Sequence, residues 1–198
     1  MEKIDFSTDA VTSEKELREI IGTPHEYVVK KEISMLDDHC KKFISMSPLF
    51  FLSTSGADGR CDVSPRGDFP NNILVLNNEQ LVLPNRPGNK RVDSFENILS
   101  NPHVGLVFLI PGLDEVLRIN GKATIINNKE ILEQMSLNGK PPLLGIGVDV
   151  EECYIHCSRA LKKSSIWNEE TWKNKETLPS SLEIFHAHLK INGVDIKK

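Results

Sequence analysis

Between residues 49 and 157 the chain is a succession of short apolar runs separated by turn signals, and this rhythm limits the fold more than any other feature. "LFFLST" (49–54) and "RCDVS" (60–64) flank "SGADG", a hairpin signal that ends in Asp58-Gly59. "NILVL" (72–76) and "QLVL" (80–83) flank Asn77-Asn78, a residue type that tolerates the positive φ of a tight hairpin. "VGLVFLI" (104–110) is continuously apolar, as a strand covered on both faces would be. "VLRINGKATII" (116–126) carries Gly121, which marks a bulge or a close backbone approach. "IGVDVEECYIHC" (146–157) is the last strand, with Ile146, Val148, Val150, Glu152 and Tyr154 predicted on one face. Hairpin-linked strands that alternate poorly argue for a closed or split antiparallel barrel, and the βαβ rhythm of a doubly wound fold is missing.

Helices flank these strands, so the class is mainly β with flanking helices (α+β). "SEKELREIIG" has Ser13 and Glu16 at capping-box spacing and stops at Gly22. "ISMLDDHCKKFISMS" sets Ile33, Leu36, Cys40, Phe43 and Ile44 on one stripe and is halted by Pro48. "KEILEQMSLNG" (129–139) reads as a surface helix ending at Gly139, and "SLEIFHAHL" as a short C-terminal one. The expected organisation is a helical segment over 1–47 packed on the barrel, a barrel over 48–168, and a tail over 169–198.

Composition excludes several function classes. With a net charge of −4 there is no global basic field for a polyanion, and 6% aromatic content gives few stacking platforms, so nucleic acid is not the expected partner. No stretch approaches the ~20 apolar residues of a membrane span, and the polar start of the chain lacks a secretory signal, so a cytoplasmic location is expected. Cys40, Cys61, Cys153 and Cys157 contain no C-x-x-C pair and read as free thiols in a reducing compartment. In "CYIHC" a strand would turn His156 away from Cys153 and Cys157, so zinc is rejected and no metal is expected.

The chain also lacks the phosphate-loop, dinucleotide, zincin and nucleophile-elbow motifs. Two polar clusters at strand ends remain. In "LVLPNRPGNKRVDSF", Arg86, Lys90 and Arg91 gather where a strand hands over to a helix, with Asn89 as the expected N-cap. Cations in a helix's first turn oppose its dipole unless an anion sits there, and Arg86 offers a planar fork to such an anion. The bland alternative is a solvated loop paired with acids such as Asp93. The second cluster, "DVSPRGD" (62–68), holds Ser64, Pro65 and Arg66, and Arg66–Asp68 could equally be a surface pair. Neither cluster contains an unmistakable acid, base or nucleophile, so catalytic residues are unknown at this level.

"DVSPRGD", "LPNRPGNKRVDSFENILSNPHVGLVFLIPG", "EVLRINGKA" and "HCSRALKKSSIW", in this order, resemble the pyridoxamine 5′-phosphate oxidase-like FMN-binding split-barrel flavoproteins, over about residues 33–168. The resemblance implies a six-stranded antiparallel split β-barrel that forms a homodimer with FMN at the subunit interface. It implies that Arg86, Asn89, Lys90 and Arg91 hold the flavin phosphate and that Val63, Ser64, Pro65 and Arg66 line the ring. Leu83, Pro84 and Asn85 would pass under the ribityl chain, and Trp167 would reach the partner's flavin. The implied function is an FMN-dependent oxidoreductase acting on a small-molecule substrate, with a non-catalytic flavin or haem carrier or sensor as the alternative. The chain lacks the C-terminal tryptophan-glycine-tyrosine-arginine segment of true pyridoxamine phosphate oxidases, which argues against vitamin B6 oxidation. It also has "FPNN" (69–72) where the subfamily shows Pro-Gly.

Overall fold

The computed structural model describes residues 3–69 and 73–194. The chain divides into two units, Met1–Cys157 and Ser158–Lys198. The first contains one antiparallel sheet of seven strands in the order β2-β1-β5-β6-β7-β4-β3, where β1 is Leu49–Ser55, β2 Cys61–Gly67, β3 Leu74–Val75, β4 Gln80–Pro84, β5 His103–Leu109, β6 Val116–Ile126 and β7 Gly145–His156. All seven runs read from the sequence are strands. The count of six implied by the resemblance is corrected to seven by the two-residue β3, which pairs with β4, and the sheet is open, with β2 and β3 as its edges.

The inward faces of the strands enclose one core, in which Phe50, Leu52, Leu83, Leu106, Phe108, Ile119 and Val148 are almost fully buried. Phe50 and Phe108 stack at 5.2 Å across β1 and β5. Two helices close on this core. Helix α3 (Asp38–Met46) is capped by the Asp37 carboxylate, which accepts from Cys40 N–H at 2.7 Å, and it sends Ile44 inward. It leads into β1 through Ser47, whose hydroxyl donates to the Leu109 carbonyl at 2.5 Å. Helix α4 (Asp93–Ser100) inserts Phe95 and Ile98. By contrast α1 (Glu14–Ile21), which has the expected Ser13 cap, and α2 (Glu26–Lys30) bury no side chain. After α2, Ile33 exchanges backbone hydrogen bonds with Cys153, and Leu36 N–H donates to Asn78 O at 2.6 Å.

Four local expectations are corrected. Strand β2 runs through Pro65 to Gly67, because an edge strand tolerates a residue that cannot donate. The helix read over 129–139 is only α5 (Lys129–Glu133), since Asn138 (φ 52°) and Gly139 (φ 72°) form a tight reversal between the bridged Leu137 and Lys140. The Asn77-Asn78 hairpin forms without positive φ at either asparagine. The fourth concerns the face of β7. Gly121 does mark a bulge: Asn120 pairs with Glu152 but Gly121 with Val150, so Glu151 is an extra residue. Beyond it the alternation slips by one, and Cys153 faces the core in place of Glu152 and Tyr154.

In the second unit α6 (Arg159–Ser164) and α7 (Ser181–Ile191) bury no side chain, and Trp172 donates its indole N–H to Ile166 O at 2.9 Å. Among the described residues no helix is long and apolar enough to cross a membrane.

Candidate functional site

Period two divides the β2 residues. Asp62, Ser64 and Arg66 share the half-buried face, whereas Val63 and Pro65 point the other way and are exposed. The first three meet the start of α4. Ser94, only 2% exposed, donates its hydroxyl to Asp62 Oδ2 at 2.7 Å and accepts from Arg66 Nη2 at 3.2 Å. Arg66 Nε also donates to Ser64 Oγ at 3.3 Å. With the single Ser94 proton on Asp62, the 3.3 Å contact between the two serines leaves Ser64 as donor. Helix α4 is fixed against the β1–β2 hairpin by Asn97, which donates to Thr54 Oγ1 at 3.0 Å, and by Ser100 Oγ, which accepts from Ala57 N–H at 3.2 Å.

The segment entering α4 is unusual. Its N-cap position is Val92, at φ 55° and ψ 20°, and no side chain caps the helix. Lys90 is also left-handed, at φ 64°. A β-branched residue in this region costs about 1–2 kcal/mol, and a left-handed residue followed by a helical one turns successive N–H groups toward a common side, as in an anion-binding nest. The expected cap, Asn89, instead accepts from Arg91 N–H at 3.1 Å, and Lys90 and Arg91 precede the helix instead of occupying its first turn.

The three cations do not act alike. Arg86 turns away to Asp68, with Nε donating to Oδ2 at 2.7 Å and Nη2 to Met135 O at 2.9 Å. The two side chains are 20% and 9% exposed, so this is a buttress between the β2 exit, the β4 exit and the segment after α5. Arg91 holds Asp93 at 2.9 Å in an exposed pair, as the bland reading of the loop anticipates. Lys90 is exposed, and among the described residues no carboxylate pairs with it.

The remaining expected residues separate. The Leu83 side chain is buried in the core, while Pro84 and Asn85 are half-buried at the β4 exit, with Asn85 N–H donating to Leu144 O at 3.0 Å. Pro65 and Arg66 line an open groove with Pro48, Leu49, Gly67, Asp68 and Phe69. Trp167 belongs to the second unit. The rest of the "FPNN" departure, residues 70–72, lies outside the described residues. Sequence reasoning missed Asp62 and Ser94. Asp62 was legible as the residue two before Ser64 on the same face; Ser94 becomes visible only when α4 meets β2.

A family model described as pyridoxamine 5′-phosphate oxidase matches residues 36–157. No curated protein matches the chain. Among solved structures it is similar to HupZ of Group A Streptococcus, at 17% identity and TM-score 0.49, over 61% of this chain and 94% of that one. It is similar to a protein of Clostridium acetobutylicum related to general stress protein 26, at 14% identity and TM-score 0.46, over 60% and 85%. It is similar to HutZ, the heme storage protein of Vibrio cholerae, at 15% identity and TM-score 0.39, over 61% and 93%. With the matched segment running from just before α3 to the end of β7 and taking in the whole seven-stranded sheet, the chain belongs to the pyridoxamine 5′-phosphate oxidase family.

Proposed function

We propose that this protein is an FMN-dependent oxidoreductase that works as a homodimer on a small-molecule substrate. The observation that carries the proposal is the entry to α4: an uncapped helix N-terminus, held in left-handed strain at Val92, beside Lys90, Arg91 and the Arg66–Ser94 pair. These residues suit a phosphate monoester. Flavin phosphate carries about −1.5 to −2 charges at neutral pH, which complements backbone N–H groups, a helix dipole and two exposed cations. Exchanging the exposed Arg91–Asp93 pair for phosphate costs little, because exposed pairs contribute only about 0–1 kcal/mol.

In this reading Lys90, Arg91 and the α4 terminus hold the phosphate. Ser64 and Arg66 border the ring, with Asp62 and Ser94 fixing the Arg66 guanidinium. Bound flavin supplies hydride and electron transfer. Arg66 offers positive charge to it, Val63 and Pro65 lie on the opposite face of β2, and Trp167 is assigned to the partner's cofactor. Arg86 leaves the phosphate set and becomes a buttress. A dimer is favoured by the outer face of the sheet, where Leu49, Phe51, Val107 and Leu109 alternate with core residues and are only half-buried.

The test is FMN titration of the purified full chain and of Lys90→Ala/Arg91→Ala. Charge-assisted hydrogen bonds contribute roughly 1.5–3 kcal/mol each, so the double variant should bind at least about tenfold more weakly. Affinity within about threefold of the parent, or no uptake of FMN by the parent at micromolar concentration, overturns the assignment. Anaerobic reduction by NADH or NADPH followed by reoxidation separates an oxidoreductase from a carrier, and a haem titration tests the carrier reading directly.

A further inference from the structure

Cys153 and Cys40 come together between β7 and α3 and play no part in the site described above. Cys153 is completely buried on the inner face of β7, and its thiol donates to Cys40 Sγ at 3.4 Å. Both backbones are fixed. Cys153 exchanges two hydrogen bonds with Ile33, at 2.7 and 3.0 Å, and Cys40 N–H is held by the Asp37 cap. The β6–β7 bulge is what turns Cys153 inward; without the extra Glu151 the alternation would carry it to the outer face. Cys61 and Cys157, by contrast, are exposed.

We propose that Cys40 and Cys153 form a reversible disulfide when the protein meets a hydroperoxide, fastening α3 to β7. Cys40 is the entry point, because it is only half-buried while Cys153 is closed off. Burial raises both thiols above the ordinary range, Cys153 the more strongly, and the hydrogen bond from Cys153 favours the Cys40 thiolate. Attack of the Cys40 sulfur on a peroxide oxygen breaks the O–O bond, leaves Cys40 as a sulfenic acid, and releases water or an alcohol. Attack of Cys153 on the sulfenic sulfur forms the S–S bond and expels hydroxide, which departs as water with the Cys153 proton. Two electrons pass from the thiol pair to the peroxide. The raised thiols make the reaction slow, while closure needs only a side-chain adjustment, since neither backbone has to leave its hydrogen bonds. The cross-link would close a loop between residues 113 apart, constraining the unfolded chain strongly.

The experiment treats the reduced full chain with hydrogen peroxide, unfolds it, alkylates the remaining thiols and maps peptides without reductant. The expected result is one cross-linked peptide pair containing Cys40 and Cys153, a mass lower by two hydrogen atoms, and two of the four thiols still alkylated. The oxidised protein should melt at a higher temperature than the reduced one, and dithiothreitol should reverse the change. Cys61→Ser/Cys157→Ser should behave like the parent, whereas Cys40→Ser should show neither the cross-link nor the rise in Tm. Recovery of Cys40 as a sulfinic acid with Cys153 still alkylatable, pairing of either with Cys61 or Cys157, or four alkylatable thiols after treatment each overturns the proposal.

Discussion

Gly121 shows how one residue can be required by backbone geometry alone. A Cβ there would run into the carbonyl of Asp149 across the β6–β7 ladder, and backbone cannot move aside as a flexible side chain can. Gly121→Ala should therefore destabilise the protein by about 2 kcal/mol, read as a lower urea midpoint with unchanged m-value. Arg86 makes the complementary case for charge. Its removal leaves Asp68 largely buried without its cation, so Arg86→Ala should cost about 3 kcal/mol, whereas Arg86→Ala/Asp68→Ala should cost less than the two single changes summed. A double-mutant cycle by urea unfolding measures this, and an additive result would reject the buttress. Gly121 could be read from the sequence because a glycine within a strand has few explanations. The role of Arg86 could not, because Asp68 and the Met135 carbonyl become its neighbours only after the β2 and β4 exits and the α5 segment converge.

Among elements, strands declared themselves through apolar runs and turn residues, and every one was legible. Their limits were not, because limits depend on neighbours: β2 continues through Pro65 only because one side of it is unpaired, and β7 changes face only because β6 bulges opposite it. The short α5 was readable in hindsight from Asn138-Gly139, a turn pair mistaken for a helix stop. Helix α3 supports a prediction in pH. The hydrogen bond from Cys40 N–H holds the Asp37 carboxyl below the ordinary value of 3.8. Its folded-state pKa is thus depressed, so the cap's contribution is complete above the unfolded value and is lost as pH falls through the folded one. Asp37→Asn keeps a capping oxygen that does not titrate, so its stability should fall less steeply than that of the parent below pH ~4, while Asp37→Ala should lose about 1 kcal/mol at neutral pH. Parallel acid-denaturation curves for parent and Asp37→Asn would show that the cap carries no titrating contribution.

For the molecule as a whole, the antiparallel barrel-like sheet was foreseeable from hairpin spacing, and the family from motifs in sequence order. The composition of the candidate site was only half legible: residues on one strand face can be counted by twos, but the meeting of β2 with α4 is long-range. The outer face gives the prediction proper to this scale. Phe51 and Val107 lie opposite each other on β1 and β5, in a row continued by Pro65, Arg118 and Tyr154. If the proposed dimer forms through this face, the parent should sediment as a dimer and Phe51→Glu as a folded monomer; equal sedimentation coefficients for the two would reject this face as the interface. Pro65 has a further consequence on β2. A proline in this edge strand has no amide hydrogen to offer, which disfavours the pairing of a neighbouring chain along it as an additional strand. Runaway sheet extension is thereby hindered at the place where an open sheet would otherwise invite it, beside the rim that carries Ser64 and Arg66.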